Sequence, residues 1–333
     1  MSKDCLILDG GLATELERAG YDLDHPLWSA KLLLGDREAI KKVHRSYLEA
    51  GAECIITSSY QLSYPGCSAL GISEHETTEL LIDSVRVAIE ARQEFGELSE
   101  STGHPPDPAS TKHIADRKTN AQNTIVVAAS IGPYGAYLAD GSEYSGKYGL
   151  SKEELRAFHK KRFDVLAATD ADILACETIP SLLEAEVLLE LLESTPARTA
   201  WFSFSCRNGE RINDGTPIGE CASLLANSNQ VEAIGINCTA PQHISDLIRR
   251  IRKSAPSKTV IVYPNSGESY DARSGMWLNA QADDPGASGP GHFGGSATEW
   301  FAVGARMIGG CCRTGPEDIR RIREELRDQG CES

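Results

Sequence analysis

Three cysteines combine residue type and position in a way that allows metal or redox chemistry: Cys238, and the adjacent pair Cys311-Cys312 behind two glycines. The chain has 10 cysteines. Most of the others, such as Cys54 in Ala52-Glu53-Cys54-Ile55-Ile56, stand singly in apolar stretches, where a thiol behaves as a small hydrophobe. Three thiolates brought together leave one tetrahedral position open, the arrangement of a catalytic zinc. Gly309-Gly310 ahead of the pair lets the backbone turn sharply, so that both adjacent sulfurs can point inward. Two other readings stay open. The pair also reads as two buried small residues, or as a redox couple, although a disulfide between sequence neighbours is strained. A distant C…CC pattern lacks the specificity of paired C-x-x-C motifs.

Other candidates carry charge or a π-face. Asp9 and Glu177 suit a substrate ammonium, or else cap a helix or bind an arginine. Gly10-Gly11 offers backbone N–H groups to an anion, or simply makes a turn. Tyr60, Tyr64, Trp28 and Trp277 suit a cation, or belong to the core. The histidines are scattered without H-x-x-x-H spacing, and none is assigned to metal. No Walker A motif is present, and no G-x-G-x-x-G follows a strand, so nothing asks for a nucleotide.

Elements must bring these residues together. Short apolar runs predict strands at Leu6–Asp9, Cys54–Ser58, Thr124–Ile131, Ile173–Glu177, Thr199–Ser205, Ala233–Asn237, Thr259–Pro264 and Arg306–Gly309. Each is followed by a helical pattern: Asp36–Ala50, Ser73–Phe95, Ser151–Ala168, Ser181–Glu193, Ile218–Asn227, Pro241–Ala255, Ser296–Val303 and Glu317–Arg327. Capping boxes are expected where Ser73, Ser151, Ser181 and Thr314 precede Glu76, Glu154, Glu184 and Glu317. Eight βα units with continuously apolar strands predict an α/β fold, a single (β/α)8 barrel over residues 1–333 with its site at the C-terminal strand ends. A doubly wound sheet is the alternative. Strand ends six and eight then carry Cys238 and Cys311-Cys312, able to face one another across the mouth. Two segments fall outside the pattern: 96–123, polar and read as a mobile surface insertion, and 267–295, a Gly- and Asp-rich loop over the mouth.

At 333 residues and 41% hydrophobic content, a sizeable core is available. Lys+Arg 33 against Asp+Glu 48 leaves a formal charge of −15, which argues against nucleic acid or an anionic membrane as partner. No window suits a transmembrane helix, and Met1-Ser2-Lys3-Asp4 runs into a strand without a signal-peptide region, so a cytoplasmic enzyme is expected.

Five motifs in register then point one way. Asp9-Gly10-Gly11-Leu12-Ala13-Thr14-Glu15, Pro26-Leu27-Trp28-Ser29, Gly235-Ile236-Asn237-Cys238, Tyr263-Pro264-Asn265-Ser266-Gly267-Glu268 and Gly309-Gly310-Cys311-Cys312-Arg313 together resemble the homocysteine S-methyltransferase family over nearly the whole chain. The resemblance implies a (β/α)8 barrel with one Zn2+ on Cys238, Cys311 and Cys312. It implies a homocysteine pocket at Asp9, Gly10, Gly11, Thr57, Glu177 and Asn237, with the carboxylates receiving the amino group. Length and the Trp28 motif look most like the branch that uses S-methylmethionine, or S-adenosylmethionine less efficiently; a betaine-using relative is the runner-up. Tyr60 and Trp277 are the expected wall for the donor cation. Two readings from other classes remain: a non-catalytic zinc- or thiol-binding barrel, and a redox protein using Cys311-Cys312.

Overall fold

The computed structural model describes residues 5–102, 125–267, 269–271, 276–278 and 293–328. Eight parallel strands share one sheet: β1 (Leu6–Ile7), β2 (Cys54–Ile56), β3 (Val126–Ile131), β4 (Ile173–Ile179), β5 (Ala200–Phe204), β6 (Val231–Asn237), β7 (Thr259–Tyr263) and β10 (Met307–Ile308). Between β7 and β10 a small antiparallel hairpin pairs β8 (Ser269–Asp271) with β9 (Met276–Leu278). Hydrogen bonding runs β1-β10-β7-β6-β5-β4-β3-β2. The ring closes where Leu8 pairs with Cys54 and the Asp9 and Glu53 amides donate to Cys54 and Ile7 carbonyls at 2.9 and 2.7 Å. This is the (β/α)8 barrel that the alternation of strands and helices predicts.

Both faces of each strand are buried, which is why the strands read as unbroken apolar runs. Alternate residues point inward: Val126 and Ala128, Ile173 and Ala175, Ile261 and Tyr263 join Leu6, Leu8, Trp201, Ala233 and Met307 in the barrel interior. Small alanines on β3, β4 and β6 leave room for the Trp201 indole. The residues between, such as Val127, Leu174, Ile234 and Val262, pack outward beneath the helices. Each fully buried Val, Leu or Ile contributes about 1.5–3 kcal/mol of transfer free energy, so this double core carries the stability.

Several boundaries differ from expectation. The second long helix is Glu74–Thr102, seven residues past the expected end at Phe95. Polarity alone does not stop a helix, and no proline intervenes before Pro105. Residues 103–123, the remainder of the expected insertion, lie outside the described residues, as do Thr124, the expected start of the third strand, and most of 267–295. Two capping boxes form as expected, at Ser73 and Ser151. Ser181 caps its helix, but the Glu184 side chain turns to His159 and to the Tyr134 amide instead. Thr314 forms no box, because its hydroxyl donates to the Cys311 carbonyl at 2.7 Å, and Asp318 accepts from the Gly315 amide at 2.9 Å. Among the described residues no helix is long and apolar enough to cross a membrane.

Candidate active site

The Sγ atoms of Cys238, Cys311 and Cys312 all lie within 4.8 Å of one another, the one such trio of potential metal ligands among the described residues. Cys238 follows the last residue of β6, and Cys311-Cys312 follow β10, so the barrel brings the three sulfurs together. The structure joins Cys238 to Cys311 as a disulfide with Cα atoms 5.7 Å apart. Cys312 remains a free thiol, its Sγ 4.0 Å from that of Cys238. The couple is therefore not the adjacent pair of the redox reading. It spans the mouth, because neighbouring side chains on a turn diverge while strand tips converge. Zn–S bonds of about 2.3 Å place tetrahedral sulfurs about 3.8 Å apart. Once reduced, the three thiols match the donor set and reach of such a site. The other described cysteines are buried singly.

Backbone bonds hold this cluster. The Cys238 amide donates to the Tyr263 carbonyl at 3.3 Å and the Cys311 amide to the Pro264 carbonyl at 2.9 Å, while the Cys312 carbonyl accepts from Ser266 at 3.2 Å. Gly11 has a packing role here: a Cβ on it would stand 2.6 Å from the Cys311 carbonyl oxygen, and its amide is spent on Thr314 at 3.0 Å. Among the described residues, five non-glycines have left-handed φ: Trp28, Ala139, Thr178, Cys238 and Arg313. All five line one cavity. Such conformations are costly for side chains with a Cβ and collect at functional sites.

That cavity, about 760 Å³, is lined by the three cysteines and by Asp9, Gly10, Gly11, Thr57, Glu177 and Asn237. Asp9 is 2% exposed. One carboxylate oxygen accepts the Ile56 amide at 2.8 Å, and Oδ1 is sealed from water without a partner. Burial, and then the charge of Glu177, push Asp9 well above the usual carboxylate range. Glu177 accepts from the Ser130 hydroxyl in a short contact and from the Tyr263 hydroxyl at 3.1 Å. Burial raises it to about 7 despite these two donors. Tyr263 in turn accepts from the Trp201 indole at 3.1 Å, which links the site floor to the barrel interior. Two neighbouring buried carboxylates, one with an unpartnered oxygen, suit an ammonium.

The other expected residues have more local roles. The Thr57 hydroxyl contacts Ser59 at 2.8 Å and accepts the Ser130 amide at 3.0 Å. Its own amide is committed to Ala128 at 3.0 Å. Beside it, the Ser58 hydroxyl is buried without a partner. Asn237 ties β6 to β4: its Oδ1 accepts the Thr178 amide at 2.8 Å, and its Nδ2 donates to Thr178 Oγ1 at 2.7 Å while lying 4.0 Å from Cys311 Sγ. Tyr60 lines the cavity with Trp28, ring centroids 6.0 Å apart at 64°. Trp277 pairs with Tyr270 in the hairpin, and its side chain lies outside the described part of the structure. Sequence reasoning missed Ser58 as a separate group, and it missed Glu143, a cavity-lining acid on the loop after β3. The signal was position: a βα-loop opens onto the site face of a barrel.

A profile described as homocysteine S-methyltransferase matches residues 6–326. The chain is 48% identical to homocysteine S-methyltransferase YbgG of Bacillus subtilis (strain 168), covering 95% of this chain and 93% of that protein. It is 46% identical to homocysteine S-methyltransferase 4 of Zea mays, covering 97% and 90%. Among solved structures, the metallated form of the homocysteine methyltransferase MmuM from Escherichia coli superposes with a TM-score of 0.79 at 40% identity, covering 96% of each chain. The oxidized form of that enzyme matches with the same score.

Proposed function

The chain belongs to the homocysteine S-methyltransferase family, and on that premise we propose that its methyl donor is a sulfonium, S-methylmethionine in preference to S-adenosylmethionine, and that its metal is one zinc on Cys238, Cys311 and Cys312. The protein is a homocysteine S-methyltransferase, with homocysteine and a methyl donor as its small-molecule substrates. The observation that carries the reading is the meeting, in one cavity, of three sulfurs with two buried carboxylates. Free thiols of this kind need a reducing compartment, which supports a cytoplasmic location.

Cys238, Cys311 and Cys312 would hold the zinc, which would supply the Lewis acidity that favours a substrate thiolate at neutral pH over the thiol, whose reference pKa is about 8.5. The chain's own residues do the rest. Asp9 and Glu177 receive the homocysteine ammonium, which answers the unpartnered Asp9 oxygen. The buried Ser58 hydroxyl is free to donate to the substrate carboxylate. Asn237 holds Thr178, and with it the Glu177 end of β4, against the cysteine turn. Trp28 and Tyr60 offer aromatic surface to the donor cation, which has no hydrogen-bond donor at sulfur. The sulfur–carbon bond to the new methyl forms as the donor's sulfur–methyl bond breaks, and that electron pair leaves a neutral thioether. Thiolate and sulfonium charges cancel in this step, so an aromatic, water-poor wall favours it.

A quaternary ammonium would suit the same aromatic pair, so betaine is the competing donor. Reduced protein given homocysteine with each donor separates the two readings by methionine formation. S-methylmethionine should be used fastest, yielding two methionines per turnover, one from each partner. Transfer from betaine alone would overturn the donor assignment. Metal binding without transfer from any donor would favour a binding protein.

A further inference from the structure

We propose that Glu143 is the anchor for the α-ammonium of the methyl donor, a subsite distinct from the carboxylate pair that takes homocysteine; this rests on the sulfonium-donor reading above. Five carboxylates line the cavity: Asp9, Glu17, Asp24, Glu143 and Glu177. Glu17 and Asp24 are exposed. Asp9 and Glu177 act on each other across the strand ends and are engaged once an amino-acid substrate sits there. Glu143 is the remaining sheltered acid. Its Oε2 is sealed from water and has no hydrogen-bond partner.

The position of Glu143 is built. Its loop lies between β3 and the helix Lys152–Ala167, and its backbone carbonyl accepts from the Ser205 hydroxyl at 3.2 Å and the Asn213 amide at 3.4 Å. Ser205 and Asn213 are themselves buried and bonded to each other at 2.8 Å. On the other side the loop presses onto Gly135, where a Cβ would come within 2.3 Å of the Glu143 nitrogen. A loop clamped from two sides holds its side chain in place with little further loss of freedom on binding. A buried carboxylate left alone is unfavourable and asks for a cation. Burial, with a smaller contribution from the charge of Asp140, pushes this one up to about 7.

The anchoring of Glu143 separates the two subsites. Its backbone is held by Ser205 and Asn213, which follow β5, whereas Asp9 follows β1 and Glu177 lies in β4. It shares the cavity with Trp28, Tyr60 and the three cysteines. S-methylmethionine carries an ammonium and a sulfonium at opposite ends of a two-carbon arm. The sulfonium cannot donate a hydrogen bond and suits the rings, whereas the ammonium has three N–H donors that match a carboxylate.

The test compares wild-type enzyme with Glu143→Gln, using S-methylmethionine and its deamino analogue 4-(dimethylsulfonio)butanoate as donors. Loss of a charge-assisted contact should raise KM for S-methylmethionine about tenfold or more. KM for homocysteine, and KM for the deamino donor, should match wild type. An equal rise for both donors, or a rise in homocysteine KM instead, would overturn the assignment, since a merely structural defect or a homocysteine contact would behave that way. Should Glu143→Gln fail to fold, Glu143→Asp withdraws the charge by one methylene and is read identically. Wild-type enzyme inert with every sulfonium amino acid would sink the donor reading itself, and that result is seen before any variant is made.

Discussion

Burial decides which groups around the cavity carry charge. The Glu177 carboxyl is pushed up to about 7 because water cannot reach it, even with the Ser130 and Tyr263 hydroxyls bonded to it. An ammonium binds the ionised form, so substrate binding competes with the proton below about pH 7. Lowering the pH from 8 to 6 should raise KM for homocysteine. Glu177→Gln should raise KM by about 10- to 100-fold and flatten its dependence on pH over that interval. A wild-type KM that stays level between pH 8 and pH 6 would show that Glu177 does not receive the amino group. The cysteines were legible in the sequence through the five motifs in register, since a distant C…CC pattern by itself leaves core, redox and zinc readings open. Glu143 and Ser58 were not. Their importance comes from lost solvent and a missing partner, and neither property is written in residue type.

Strand tips reach their places through supports behind the barrel wall. Arg162, 1% exposed on the helix Lys152–Ala167, donates to the carbonyls of Leu62 and Gly132 and to His159 Nδ1. With Nδ1 accepting, the histidine's proton sits on Nε2 and is donated to Glu184 at 2.8 Å. Burial holds this histidine neutral, lowering it to about 4. The network ties the loop after β2, which carries Tyr60, to the turn after β3. Arg162→Met should therefore destabilise the protein by about 3–5 kcal/mol, the cost of leaving the buried Glu184 charge without its compensating cation and the two carbonyls and Nδ1 without a donor, measured by denaturant unfolding. A loss below about 1 kcal/mol would mean that water replaces the guanidinium. At this scale the sequence was readable for long elements, since periodicity and caps are local signals. The short helices Leu12–Arg18 and Tyr64–Ala69 escaped because a few residues hold no period. Glu184 misled as a capping residue because its true partner, His159, lies 25 positions away.

The barrel as a whole separates stability from chemistry. Cysteines, carboxylates and aromatic pair all gather at the C-terminal strand ends, and the residues 103–124 join the helix ending at Thr102 to the N-terminal end of β3. That attachment is on the opposite face of the barrel. Replacing residues 105–121 with a short Gly/Ser linker should leave kcat and both KM values unchanged. A marked loss of activity with the fold retained would give that segment a role at the site, against the single-domain reading of the chain. The closed barrel was evident from eight alternating βα units, whereas the register of its closure was not, because the Leu8–Cys54 pairing joins strands whose edges look like any others. The five motifs were visible as words in the sequence. Their physical reason appears only in the folded chain, where left-handed Trp28, Cys238 and Arg313 come from three of those motifs and line one cavity.

The central claim is that three cysteines from two strand ends hold one metal where homocysteine is activated. Cys238 and Cys311 joined as a disulfide cannot both serve as thiolates, so the decisive measurement is zinc per chain on fully reduced protein, for wild type beside Cys311→Ser. The account predicts close to one zinc in wild type and a large loss in the variant, together with loss of methionine formation while the far-ultraviolet circular dichroism is unchanged. Reduced wild-type protein that takes up no zinc, or a Cys311→Ser variant that keeps its full complement, would contradict it.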